Sequence, residues 1–411
     1  MKRNYYLVGL VFLIFFVISL LTNILGPIVP DIIDSFGLTL TAAALLPFSF
    51  FIAYGVMSIP AGMMVEAFRE KAVILAAFLA AFIGALTFAF FPVYWVAICS
   101  LFLVGMGMAA LQVAINPMLR VVGGEEHFAF NSAAAQFIFG SASFLSPRIY
   151  SYLVQNLGRD PAGQSIFLRS LAKAVPPQLP WISLYWIFAA VTLLMIVIIF
   201  ASRFPAVRRT AEEQVGTWQS HRKLFRNPVV LLYSASIFAY VGCEQGTSNW
   251  MSKFLLQYHH FDPHTTGADA VSWFWGLLTA GCFLGMLLLK LFDSRKLLIA
   301  FSIAAIMCLS AALFGNRSVS VIAFPLMGLF ASVMWPIIIS LGLNSVAELH
   351  GSFSGILCTA IIGGAIVPLV IGRLGDLLGL RVGMLFLYLT FGWILSVGFW
   401  AKPIIPNKTI G

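Results

Sequence analysis

Residues Tyr233–Tyr258 read YSASIFAYVGCEQGTSNWMSKFLLQY, and near the middle of this mainly apolar run stands one carboxylate, Glu244. Of the fifteen acids in the chain it is the only one deep inside such a run; the other fourteen lie at run ends or in connecting loops. An ionisable group at bilayer depth costs several kcal/mol unless it is paired, hydrated or protonated, so it marks a functional site by default. The run reads as a membrane helix, and Glu244 is the first place to look for ion coupling. Just ahead of it, Arg203–Asn227 reads RFPAVRRTAEEQVGTWQSHRKLFRN, a long polar interruption with apolar runs on both sides.

Working outward, 61% of the 411 residues are hydrophobic and 9% charged, with a mean hydropathy of +0.97. That composition lies far from soluble domains and fits a polytopic membrane protein. Runs of mainly apolar residues long enough to span occur at about 6–29, 41–65, 72–91, 94–119, 128–156, 181–202, 228–257, 268–291, 297–315, 318–346, 352–375 and 381–401. The expected fold class is therefore an all-α membrane protein with twelve transmembrane helices in two six-helix bundles. The expected division is 1–202 for the N-terminal bundle, 203–227 for a cytoplasmic linker and 228–411 for the C-terminal bundle.

The formal charge of +9 does not point to nucleic acid. With both termini in the cytoplasm, sixteen of the 24 Lys and Arg fall on the cytoplasmic side, Lys2, Arg69, Lys71, Arg208 and Arg222 among them. This is the positive-inside asymmetry, and it reports topology. The first segment is too long for a signal-peptide core and lacks a small-residue cleavage site ahead of Asn23, so it is expected to be retained. The five cysteines lie inside apolar runs without ligand spacing, and the His259, His260, His264 cluster has too few companions for a metal site. No nucleophile and base pair or phosphate-cradling glycine loop occurs, so no catalysis and no cofactor are expected.

The halves echo each other. Gly62-Met63 is followed by Phe68-Arg69-Glu70-Lys71, and Gly285-Met286 by Phe292-Asp293-Ser294-Arg295-Lys296, each between the second and third helix of its half. Repeated halves are a mark of transporters whose site lies near the bilayer midplane between them. Polar side chains in lipid must face the bundle interior or a water-filled cavity. At about 100° per residue, Ser132, Gln136, Ser143, Ser146 and Tyr150 share one face of the fifth helix. On the seventh, Tyr233, Ser236, Tyr240, Glu244, Thr247 and Met251 share another, with Gln245 and Asn249 turned away toward a neighbouring helix. Gln112, Asn116 and Arg120 are four apart on the fourth helix, Asn23 precedes Pro27 and Pro30 on the first, and Ser340 and Asn344 lie on the tenth. Amides and hydroxyls suit a polyol or sugar, and Trp250, Trp273, Trp275 and Trp335 are available to stack on a pyranose face. Against this, single amides often only join helices and Trp often anchors at interfaces. Arg148 is expected to snorkel outward, with an anion, Asp31 or Asp34 as alternative partners.

These patterns resemble the major facilitator superfamily. Gly62–Lys71, GMMVEAFREK, is similar to its loop motif, with Glu66 where an Asp is usual. More specifically, Thr22–Pro27, Leu111–Pro117, Tyr240–Glu244, Gly363–Pro368 and the tract from Trp335 to Gly355 resemble, in the same order, the fucose/proton symporter family of sugar transporters. That resemblance implies a twelve-helix transporter of sugars working by alternating access. Proton-coupled members carry an Asp in the first helix and a Glu in the fourth, where this chain has Asn23 and Gln112. Coupling, if kept, is therefore expected at Glu244.

The expectation is a monomeric carrier of the bacterial inner (plasma) membrane for a hexose, pentose or amino sugar, with H+ or Na+ as the coupling ion. Substrate would be held by Asn23, Gln112, Asn116, Gln136, Tyr240, Trp275, Trp335 and Asn344, and the ion by Glu244. The rival readings are an exporter of amphipathic compounds or drugs and a non-transporting sensor or scaffold. Partners other than sugar and lipid, nucleic acid included, are not expected.

Overall fold

The structure is a computed structural model that describes residues 5–123, 128–157, 165–204, 224–346 and 350–402. Ten helical stretches among them are long and apolar enough to cross a membrane. The longest, Leu40–Phe90, breaks at Arg69, which has φ 67° and ψ 161°, and so counts as two crossings. Phe128–Leu157 is made more polar by its serines, yet its 30 residues span ~45 Å at 1.5 Å per residue, ample for a bilayer. The protein is therefore a twelve-helix membrane protein.

We label the crossings α1 (Tyr5–Phe36), α2 and α3 (residues 40–68 and 70–90), α4 (Tyr94–Gly123), α5 (Phe128–Leu157) and α6 (Pro180–Ala201). The second set is α7 (Pro228–His259), α8 (Pro263–Leu291), α9 (Ser294–Phe314), α10 (Arg317–Leu343), α11 (Phe353–Leu378) and α12 (Leu380–Trp400). Most ends fall within a few residues of the sequence expectation, with three informative differences. α1 runs on past Pro30 to Phe36, so Asp31 and Asp34 sit on helix and not in a loop. It is also interrupted at Asn23 and Ile24, which form a turn between its two helical pieces just ahead of Pro27. The loop between α5 and α6 holds an amphipathic helix, Ile166–Ala174, capped at its start by the Ser165 side chain. Residues 205–223 of the expected linker and 158–164 of that loop lie outside the described residues.

The echo between the two loops has a shared structural task. Lys71 donates through Nζ to the carbonyls of Phe200 and Ser202 at the end of α6 (2.9 and 2.7 Å). Arg295 donates through Nη1 to the carbonyl of Ala401 at the end of α12 (3.4 Å). In each half the basic loop residue thus meets the last turn of the sixth helix, where unpaired carbonyls and the helix dipole favour a cation.

Between the halves α1 packs on α7, α2 on α11 and α5 on α8. Two of these seams need glycine. A Cβ on Gly26 would collide with the backbone carbonyl of Ser248, and one on Gly140 with the Thr279 side chain.

Candidate functional site

A chain of side-chain bonds crosses the molecule where α1 breaks. The Ser19 hydroxyl donates to the carbonyl of Phe139 (2.5 Å) and lies 2.6 Å from the Ser143 hydroxyl. Ser143 Oγ accepts from Asn23 Nδ2 (2.8 Å). From the other half, Gln245 Nε2 makes a long contact to Asn23 Oδ1 (3.5 Å) and donates to Glu244 Oε1 (3.2 Å). The second carboxylate oxygen, Oε2, accepts from the Tyr240 hydroxyl (2.5 Å), and the Tyr240 ring lies 5.8 Å from that of Trp335. Three helices, α5, α1 and α7, thus meet through neutral donors and acceptors that end on one carboxylate.

Gln245 reaches a neighbouring helix, as the sequence leads one to expect, through its contact with Asn23 of α1. The helical count turns it away from the face of Glu244, yet its side chain bridges Glu244 to the opposite half. Both faces of α7 here are interface, and a single polar arc on a wheel cannot show that. Lys253, the one lysine of α7, approaches Asp34 (4.0 Å) and not Glu244. Among the described residues no basic side chain pairs with Glu244.

Beyond this level, toward the face that carries the termini, polar positions open to solvent. On α4 one face passes from buried Met108 through half-buried Gln112 to exposed Asn116. On α5 Ser143 is buried against Asn23, while Gln136, two turns nearer the termini on the same face, is exposed. On α10 Trp335 is half-buried and Ser340 exposed, and Asn344, just past its last residue, is half-buried. An amide facing lipid would lack partners, so these exposed amides border a wet space that widens toward the termini.

The far face is closed by ties between the halves. Asp31 on α1 accepts from Tyr150 of α5 through Oδ2 (2.5 Å) and meets His264 Nε2 at the start of α8 through Oδ1 (2.8 Å). Ser151 and Gln155 donate to the His264 carbonyl (2.5 and 3.2 Å). Asp376 on α11 accepts from the backbone N–H groups of Leu40 and Thr41 (both 2.8 Å) and from the Thr41 hydroxyl (2.5 Å), capping the start of α2. Arg148 pairs with neither Asp31 nor Asp34; it lies 3.5 Å from Asp269 with its guanidinium 4.2 Å from the Phe144 ring centre. Sequence reading missed this closure, because Asp31 and His264 are 233 residues apart and nothing local pairs them.

The tryptophans divide. Trp335 lies beside Tyr240 at the centre, and Trp275 is buried on α8 with its indole N–H unpartnered among the described residues. Trp250 instead donates to the Pro368 carbonyl (3.1 Å) as a helix tie, and Trp273 stands half-exposed beside Arg148.

The family model for the Major Facilitator Superfamily matches residues 11–361. A glucose/galactose transporter of Brucella abortus (strain 2308) is 29% identical over 401 residues, covering 94% of this chain and 92% of that protein. The L-fucose-proton symporter of Escherichia coli (strain K12) is 28% identical over 389 residues, covering 89% and 86%. In structure, the chain is similar to the E. coli fucose:proton symporter FucP (N162A), with TM-score 0.69, 22% identity and coverage of 97% and 100%. A bacterial homolog to the human lysosomal transporter Spinster, inward-facing and unoccupied, gives TM-score 0.77, 16% identity and 96% coverage of both chains.

Proposed function

The chain belongs to the major facilitator superfamily, and on that premise we propose that it carries a monosaccharide, a hexose, pentose or amino sugar, across the bacterial inner membrane by alternating access. The observation that carries this reading is the run of neutral amides and hydroxyls between the halves, from Ser19 through Asn23 to Gln245 and Tyr240, with Gln112, Asn116 and Gln136 along the widening space. Each sugar hydroxyl both donates and accepts, and amides offer both at no cost in charge. Trp335 beside Tyr240 supplies an aromatic face. The sugar names of the relatives support the same class.

We assign coupling to Glu244, with H+ or Na+ as the ion. It is half-buried beside the wet space, has no basic partner among the described residues, and is bonded only by neutral groups. With the termini in the cytoplasm, as the Lys and Arg distribution indicates, this is the inward-open form: closed by Asp31, His264 and Asp376 outside and open inside. The active unit is one chain, with residues 1–202 and 228–411 as the rocking bodies.

Counterflow in proteoliposomes loaded with unlabelled sugar tests the reading, over a panel of radiolabelled hexoses, pentoses and amino sugars. A sugar carrier gives a transient overshoot with at least one of them. No overshoot with any, from protein that remains folded, would remove the sugar reading and leave an exporter or a non-transporting protein.

A further inference from the structure

The bond chain at the break of α1 has a fixed direction. A backbone carbonyl, that of Phe139, closes one end and can only accept. The Ser19 and Ser143 hydroxyls both reach that carbonyl (2.5 and 3.3 Å) and lie 2.6 Å apart, so their two protons serve the carbonyl and the contact between them. Ser143 is then free only to accept from Asn23, which must present Nδ2 to it and therefore Oδ1 to Gln245. Gln245 answers with Nε2, and the same nitrogen serves Glu244 Oε1. Each step follows from the number of protons that hydroxyls and amides carry.

This order suits an ionised Glu244, which accepts from both Tyr240 and Gln245. The Tyr240 hydroxyl has no other acceptor among the described residues and so keeps Oε2 as its acceptor; a proton on Glu244 then goes to Oε1 and would require an acceptor at Gln245, whose amide would have to turn its oxygen toward it. That turn sets Gln245 Oε1 against Asn23 Oδ1, two oxygens with no proton between them. Asn23 cannot turn in response, because the Phe139 carbonyl fixes its orientation through Ser19 and Ser143. The 3.5 Å contact across the halves is weak and so is readily lost.

We propose that Gln245 is the positioning residue through which the charge of Glu244 sets the tie between the two halves: ionised Glu244 holds α7 to α1, and protonated Glu244 releases it. This rests on the assignment of Glu244 as the coupling residue. Among the described residues, the other titratable groups near Glu244 are Tyr240 and Cys243 of α7 and Cys282 of α8, and α1 presents the neutral Asn23. Protonation therefore loosens the inward-open form and moves molecules toward the outward-open one.

The test is the distance between spin labels on the outer ends of the halves, at Ile166→Cys and Ser318→Cys, both exposed positions, in a cysteine-free chain reconstituted in liposomes. A His264→Gln background keeps an amide nitrogen against Asp31 while removing the titration of that pair. The parent is expected to shift to longer distances at acid pH. Gln245→Met, similar in length but without donors, is expected to lose the shift, as is Glu244→Gln. Should Gln245→Met fail to fold, Ser143→Ala replaces it: with Asn23 free to turn, the shift is expected to shrink. A shift in Gln245→Met or Ser143→Ala equal to that of the parent, with Glu244→Gln insensitive, overturns the relay and leaves coupling at Glu244 standing. A parent that does not shift, or a Glu244→Gln variant that shifts as the parent does, overturns the relay and the assignment of Glu244 together.

Discussion

Gln112 shows what single residues at this interface do. It lies half-buried on the face of α4 that opens toward Asn116, at the place where proton-coupled sugar carriers that the chain resembles hold a Glu. An amide there has no proton to exchange, but it can still bond a sugar hydroxyl. Losing one such bond costs about 0.5 to 1.5 kcal/mol, so Gln112→Ala is expected to weaken sugar binding about twofold to tenfold. Isothermal titration with the sugar that gives counterflow measures this directly; unchanged affinity in a folded variant would make Gln112 a helix tie. At this scale the sequence showed Asn23, Tyr240 and Glu244, because polar groups stand out in apolar runs and a break before Pro27 is expected. It did not show that Gln245 also holds Glu244, since neighbours on a helix point about 100° apart.

The helices that meet across the interface carry their own test. α1 and α5 approach α7 and α8 closely only because Gly26 and Gly140 lack side chains. Gly26 faces a backbone carbonyl that cannot yield, so Gly26→Val is expected to disfavour the closed outer face. It should lengthen the distances between labels at 166 and 318. The Asp31 closure acts at the same scale. Asp31→Ala strips Tyr150 and His264 of their shared acceptor, and a bond to a charged group contributes about 1.5 to 3 kcal/mol. The same label pair should therefore report a larger outward-open population in Asp31→Ala, and an unchanged distribution would show the closure to be incidental. None of this was legible beforehand: helix ends could be placed by hydropathy, but which helices touch depends on packing between residues far apart in the chain.

As a whole the molecule is two similar bodies, and its repeat was readable because each half needs a cation at the end of its sixth helix, supplied by Lys71 and Arg295. The twelve crossings were readable from length and apolarity, even though α2 and α3 run together until Arg69. Orientation rests on the Lys and Arg distribution, which puts Ser170 outside and Arg226 inside. Cysteines placed singly at these positions in a cysteine-free chain are expected to react with an impermeant maleimide from opposite sides, and reaction of both from one side would contradict twelve crossings. The central claim is that Glu244 couples an ion to sugar movement between these bodies. Its most direct measurement compares Glu244→Gln with the parent in the same proteoliposomes, by uphill sugar accumulation under an imposed proton or sodium gradient and by counterflow without one. The variant is expected to lose accumulation and keep counterflow. Accumulation by the variant as strong as that of the parent would contradict it.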